Sequence, residues 1–282
     1  MDYPIKTVCD TLQVSRSAYY AYCKGNTYAI SDAQESLYIQ VAQVFHVHKK
    51  RYGSRRVCKE LENQGLKVGR YATRTAMKAQ ALRAIQPKSF VPKTTNSNHK
   101  LGYSPNLLAH KAFPTAPNQV YVGDITYLPT TYGKWLYLST WMDLYSRAIV
   151  GWKVDTNMEE NLIIESLEQA FYKRSPSKGL IIHSDRGGQY GGAAFRKQLK
   201  DHHCAQSMSA ADNPYDNAFA ESLFSRFKAE SLPKSGYESK QQAVSEIYQY
   251  IEMYYNTERL HSSLNYKSPT DFENLYYQSK TE

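Results

Sequence analysis

The chain of 282 residues contains no apolar run of the eighteen or more residues that a membrane-spanning helix needs. Residues 1–5 lead into a polar stretch and lack the apolar core of a secretion signal. Both absences point to a cytoplasmic protein. Cysteine is scarce: Cys9, Cys23, Cys58 and Cys204 are scattered without a CxxC pair, which excludes a disulfide framework and a cysteine-rich zinc site and leaves buried thiols as the expectation. His202-His203-Cys204 is too compact and isolated for a tetrahedral zinc site. Internal repeats are missing as well. Acidic residues are absent from 65–82, and residues 1–110 hold 17 Lys and Arg against 6 Asp and Glu, whereas residues 111–282 hold 18 against 20. All the excess positive charge therefore lies in front, as in a segment that meets a polyanion; a solvated basic face is the alternative.

Within that basic part, residues 4–23 read as two short helices. Ser15 is placed to cap the second, and Arg16 faces outward beside Tyr19 and Tyr20. This is the pattern of a helix-turn-helix or of a helical hairpin with no DNA contact, and it is assigned to residues 1–30. A basic helical DNA-binding domain is expected over residues 31–85. There Leu37, Val41, Val44 and Phe45 recur at helical spacing before a basic turn that contains Arg55 and Arg56. Ser54 is placed to cap a helix over 55–63, Gly65 to end it, and 68–82 to form the next, on which Arg70, Arg74 and Lys78 recur every four residues. A basic stripe on a helix that follows a turn fits a duplex-binding face. Prolines and a polar tract then mark a linker at 86–112.

Beyond the linker the pattern changes to strands. Residues 120–130, 135–143 and 147–154 are joined by short turns and read as an antiparallel meander. A helix over 161–172, a buried strand over 180–184, a helix over 193–202, a strand over 205–209 and a further helix follow. The order implies an α/β fold, an RNase H-like mixed five-stranded sheet over residues 113–232, preceded by the N-terminal all-helical helix-turn-helix region. Residues 233–282 are a C-terminal helix and tail, in which 273–279 resemble a tag-protease site with one mismatch and are set apart from function.

Three acids stand out. Asp124 lies on one face of the first strand, Asp185 follows the fourth, and Glu221 comes after thirty-five intervening residues on a helix. On that helix Phe219, Ala220, Leu223, Phe224 and Phe227 form an apolar side, while Asn217, Glu221, Ser225 and Lys228 form the other. Converging carboxylates suit hard divalent cations such as Mg²⁺, which take oxygen ligands. Two such ions would activate the attacking oxygen and stabilise the leaving one in a phosphoryl transfer. Asp124 would bridge them, with Asp185 and Glu221 each holding one. Asp143 is the rival, with turn capping or a hold on Arg147 as its structural role. His183 reads as a packed histidine beside the site. Arg259 and His261 either touch DNA or close the last helix.

Gly-Asp-Ile-Thr-Tyr (123–127), Met-Asp-Leu-Tyr-Ser-Arg (142–147), His-Ser-Asp-Arg-Gly-Gly-Gln-Tyr (183–190), Asn-Pro-Tyr-Asp-Asn-Ala (213–218) and Glu221 with Lys228 resemble the DDE core of the insertion-sequence-three transposase family, which belongs with retroviral integrases. The likeness runs from the front helices to Asn256, Arg259, His261 and Pro269. It implies that Asp124, Asp185 and Glu221 are the metal-binding catalytic triad and that Lys228 contacts DNA near the active site. Mg²⁺ is then the cofactor, with two ions expected and Mn²⁺ as a substitute. The implied enzyme cleaves transposon ends and joins the freed 3′-hydroxyl to another phosphodiester, as a homo-oligomer on double-stranded DNA, nucleoid-associated when bound. Further candidate DNA contacts are Asn217, Arg186, Arg55, Arg56, Arg70, Arg74, Lys78 and Arg16. In this family a second-frame product of this kind is commonly fused by frameshift to a first-frame protein, which is the expected partner. Gly123 stands where the family often has a hydroxyl or other small residue, a difference expected to matter little. An RNase H-like nuclease, a non-catalytic DNA-binding regulator and a tyrosine recombinase are the competing classes; joined products, the effect of Asp185→Asn and a covalent protein-DNA adduct separate them.

Overall fold

Two short helices, α1 (Ile5–Thr11) and α2 (Arg16–Cys23), begin the chain. The computed structural model describes residues 3–25, 30–87, 102–109, 112–209 and 218–281. Ser15 caps α2, its hydroxyl accepting the Ala18 N–H at 3.1 Å, and Arg16 is exposed. Three longer helices follow: α3 (Asp32–Val47), α4 (Ser54–Asn63) and α5 (Arg70–Ala79). Val41, Val44, Phe45, Val57, Leu61, Ala76 and Met77 give them a buried apolar face. Ser54 is the first residue of α4 and not its cap; extended Gly53 takes that place without a side-chain bond. The next helix starts only at Arg70, because Gly69 is extended. Gly65, at φ 88, ends α4 in the left-handed region that glycine adopts without strain.

The chain divides into two compact units, Met1–Ala84 and Ile85–Glu282. In the second, β1 (Val120–Pro129), β2 (Trp135–Asp143) and β3 (Ile149–Asp155) form the antiparallel meander. After α6 (Glu160–Arg174), β4 (Ile181–Ser184) pairs parallel to β1; after α7 (Ala193–Asp201), β5 (Ala205–Met208) pairs parallel to β4. The strand order is β3-β2-β1-β4-β5, a mixed five-stranded sheet. One face, with Tyr121 and Trp141, packs against Ile163, Leu167 and Phe171 of α6 and Phe195 and Leu199 of α7. On the other, Val120, Val122 and Ile181 share a cluster with Ala220 of α8 (Ala218–Glu230). Strand alternation therefore puts Asp124 on the α8 face.

Gly123 matters more than its family comparison suggests. It pairs across the ladder with Trp141, and a Cβ there would overlap Cζ3 of that ring. Trp141 is fully buried and held by a 3.0 Å bond from its indole N–H to Ser166 Oγ. Gly123→Ser should therefore cost about 1–3 kcal/mol through overpacking, read as a lower urea midpoint; an unchanged midpoint would mean that the ring moves freely.

The closing helices depart from the sequence reading. A helix α9 (Lys240–Tyr248) continues as π-helix over Gln249–Tyr255, which buries Tyr250, Ile251, Tyr254 and Tyr255 together. The last helix, α10 (Pro269–Thr281), contains residues 273–279, so that stretch is part of the fold and not an appended tail. Its Glu273 is buried and pairs with Arg174 at 2.5 Å. Asn256 bonds both backbone groups of Ile149, and Arg259 is buried against Glu230, so neither stands open to DNA. Residues 102–109, read as linker, dock instead on β5: Ser104 meets Gln206, and the Leu107 N–H donates to Ser207 Oγ. Leu107 and Leu108 pack on the Val120 cluster, which is why this stretch does not behave as a connector. Cys9 and Cys58 are buried, but Cys23 is exposed and Cys204 half-buried, correcting the expectation of four buried thiols. No described helix is long and apolar enough to cross a membrane.

Candidate active site

The parallel ladder between the central strands organises the site. Val120, Tyr121 and Val122 pair with Ile181, Ile182 and His183; Asp185 follows the end of β4, and the same offset continued by two residues would set it opposite Asp124. Neighbouring strands lie about 4.8 Å apart, and paired residues on parallel strands point to the same face. Both aspartates are half-exposed. Asp124 Oδ1 accepts the Ile125 N–H at 2.7 Å, and Asp185 Oδ1 accepts the Gly187 N–H at 2.9 Å. His183, fully buried, bonds Ser207 Oγ through Nδ1 at 2.8 Å and so is packed beneath the site.

Glu221 is exposed on the first turn of α8, while Ala220, Leu223, Phe224 and Phe227 anchor that helix. Ala220 shares an apolar cluster with Val120 and Val122 of β1. Lys228, about 12 Å further along at 1.5 Å per residue, is half-buried with Asp124 as its charged neighbour. Burial pushes its ammonium pKa down, and the Asp124 carboxylate opposes that shift. The helix thus sets its lysine within the electrostatic range of Asp124. Among the described residues no three His, Cys, Asp or Glu side chains converge on a point able to hold a metal ion.

Asp143 is excluded as an alternative ligand by its surroundings. It is fully buried; Oδ1 accepts the Tyr145 and Ser146 N–H groups at 2.8 and 3.2 Å, and Oδ2 that of Asn118 at 2.6 Å. Burial pushes its carboxyl from the ordinary 3.8 up to about 6; the Asn118 donor opposes the shift and Glu273 reinforces it. An acid with a raised folded pKa holds its proton in the native state after the unfolded chain has lost its own. Stability from this group therefore falls as pH rises from about 4 to about 6, by on the order of 3 kcal/mol. Asp143→Asn, which brings its own offset at every pH, should lack that slope. Urea unfolding of both proteins at pH 4, 5, 6 and 7 checks it, and parallel curves would refute it.

The candidate DNA contacts separate into groups. Arg70, Arg74 and Lys78 are exposed on α5, opposite buried Thr73, Ala76 and Met77, and Arg55 is exposed on α4. Arg56 is half-buried with its guanidinium 5.5 Å from the Tyr52 ring centre. Arg186 is turned onto the chain itself, donating to the Ser209 carbonyl at 2.9 Å and lying over Tyr103 at 4.7 Å. Asn217 lies outside the described residues. Sequence reasoning missed the Arg147 guanidinium, which is held over Phe219 at 4.1 Å and over Phe113 at 5.1 Å, two residues from Glu221.

Two models described as "Integrase core domain" match residues 114–214 and 202–269, and one described as "HTH-like domain" matches 31–90. The helix-turn-helix match thus falls on α3–α5 and not on the first hairpin. The chain is similar to the transposase for insertion sequence element IS904 of Lactococcus lactis subsp. lactis (strain IL1403), 41% identical over 243 residues, 85% of this chain and 94% of that one. It is also similar to transposase InsF for insertion sequence IS3A of Escherichia coli (strain K12), 37% identical over 275 residues, 97% and 95% of the two chains. Among solved structures, the HTLV-2 integrase catalytic core domain in complex with magnesium covers 56% of this chain and 97% of its own at TM-score 0.39 and 17% identity. An integrase core on a mixed sheet, preceded by a helical HTH-like domain, defines a DDE-type polynucleotidyl transferase that acts on DNA. The chain belongs to the IS3 family of insertion-sequence transposases.

Proposed function

We propose that this transposase cleaves the 3′ ends of an insertion sequence and joins the freed hydroxyl to a target phosphodiester at Asp124 and Asp185, completed by Glu221. The observation that carries this reading is the parallel ladder of β1 and β4, with Asp124 within β1 and Asp185 directly after β4. Two carboxylates side by side repel unless a cation lies between them, and their oxygens are the donors that hard divalent ions prefer. When bound, Mg²⁺ ions, two by expectation and replaceable by Mn²⁺, supply Lewis-acid charge beside the scissile phosphodiester. Asp185 is kept in orientation by the Gly187 N–H, and Asp124 by that of Ile125. Lys228, with Asp124 as its charged neighbour, contacts the incoming DNA phosphate in this reading. Glu221 joins the pair once DNA settles on α8.

The same reading gives residues 31–85 the task of holding DNA through Arg55, Arg70, Arg74 and Lys78, whose phosphate contacts position the duplex without reading its bases. Arg16 of the first hairpin and Asn217 beside α8 add contacts, while Arg56 and Arg186 act through the surfaces they brace. The chain works as a homo-oligomer on transposon and target DNA, in the cytoplasm at the nucleoid, together with a first-frame protein or as its frameshift fusion.

The test is Mn²⁺-dependent strand transfer on a branched oligonucleotide that mimics a joined end. Wild type should join it or resolve it, whereas Asp185→Asn or a chelator should abolish both reactions. Equal activity of wild type and Asp185→Asn would sink the reading.

A further inference from the structure

Tyr190 is 1% exposed, and its hydroxyl has no hydrogen-bond partner, a rare condition for a buried polar atom. Its place is fixed relative to Asp185 by two backbone bonds. The Gly187 N–H donates to Asp185 Oδ1 at 2.9 Å, and the Tyr190 N–H donates to the Gly187 carbonyl at 3.0 Å. A Cβ built on Gly187 would sit 3.1 Å from Asp185 Oδ1 and 3.4 Å from Tyr190 Cδ2, so the carboxylate and the ring flank the same glycine. The ring is wedged edge-on against Trp141, with centres 6.0 Å apart, and against Phe195 at 5.9 Å; its carbonyl accepts the Gln206 amide at 2.6 Å. A phenylalanine would satisfy every one of these contacts. The phenolic oxygen is therefore unexplained by packing.

Resting on the assignment of Asp124 and Asp185 as cation ligands, we propose that Tyr190 is a positioning residue of the metal site, its hydroxyl donating a hydrogen bond to the Asp185 carboxylate when that group turns to hold a divalent cation. Burial, then the charge of Asp185 and then that of Asp124, push the phenol pKa well above its usual range, so the group stays a donor at any working pH. Partners that orient metal ligands in this way typically change affinity about 10- to 100-fold when removed.

The test compares Mn²⁺ binding to full-length wild type, Tyr190→Phe and Asp185→Asn by titration calorimetry, with thermal unfolding of each. Tyr190→Phe should keep or slightly raise the melting temperature, because only an unpartnered oxygen is lost, and should bind Mn²⁺ about tenfold more weakly. Wild-type affinity in Tyr190→Phe overturns the proposal. So does a weakened affinity that accompanies a markedly lowered melting temperature, which would make the hydroxyl structural. Wild-type affinity in Asp185→Asn would instead remove the site assignment on which the proposal stands. Loss of binding in Asp185→Asn with none in Tyr190→Phe would remove the tyrosine's role alone.

Discussion

Arg259→Ala is expected to destabilise the larger unit by about 3–5 kcal/mol, the cost of leaving a buried charge without its partner. The guanidinium is 1% exposed and makes two bonds to Glu230, Nε to Oε2 at 2.8 Å and Nη2 to Oε1 at 2.6 Å. The Tyr250 hydroxyl donates to the same carboxylate at 3.0 Å. Glu230 is the last residue of α8, so this pair fastens the end of the helix that carries Glu221 and Lys228. Removing the arginine strands the carboxylate among apolar and aromatic groups. Arg259→Lys should also be costly, since an ammonium cannot reproduce the two parallel bonds. Adding Glu230→Gln to Arg259→Ala should recover part of the loss, because the stranded charge goes with it. Urea denaturation decides the matter: a loss below about 1 kcal/mol, in the range of exposed ion pairs, with weakened DNA binding would restore the reading of Arg259 as a DNA contact.

The second large effect concerns the three acids, which should separate according to the assay. In the protein without DNA, Asp124→Asn and Asp185→Asn should each remove most Mn²⁺ binding, because Asp124 lies on β1 and Asp185 directly after its parallel partner β4. Glu221→Gln should bind Mn²⁺ nearly as wild type does, since no three acids converge among the described residues. In strand transfer all three substitutions should cost about a thousandfold or more, on the order of 4 kcal/mol of barrier. Glu221→Gln should then weaken Mn²⁺ binding only in the presence of the branched DNA. Equal loss of Mn²⁺ for all three without DNA would show a triad assembled beforehand, contrary to the position of α8.

The strands were legible because their signals are local. Trp135 to Asp143 alternates in sequence and forms β2 over those same residues, and the Thr131–Lys134 turn bends as its glycine suggests, with Gly133 at φ 75. What escaped depends on partners distant in sequence. The need for Gly123 is visible only once Trp141 is known to lie over it. The burial of Arg259 requires Glu230, twenty-nine residues earlier, and no pattern around position 259 announces it. Residues 102–109 were read from their prolines, whereas Leu107 and Leu108 were the signal that part of this stretch packs. Where α8 lies along β1 is a tertiary variable that helical periodicity does not contain.

The ladder between β1 and β4 also has a consequence for how the protein breathes. Asp124 lies within β1 and Asp185 directly after β4, central strands that separate only in openings close to global unfolding, while helix ends open at far lower free energy. The aspartate pair is thus insulated from sub-global fluctuation and the glutamate is not. The amides of Tyr121, Val122 and Ile182 belong among the last to exchange with deuterated solvent, and those at the start of α8 among the first.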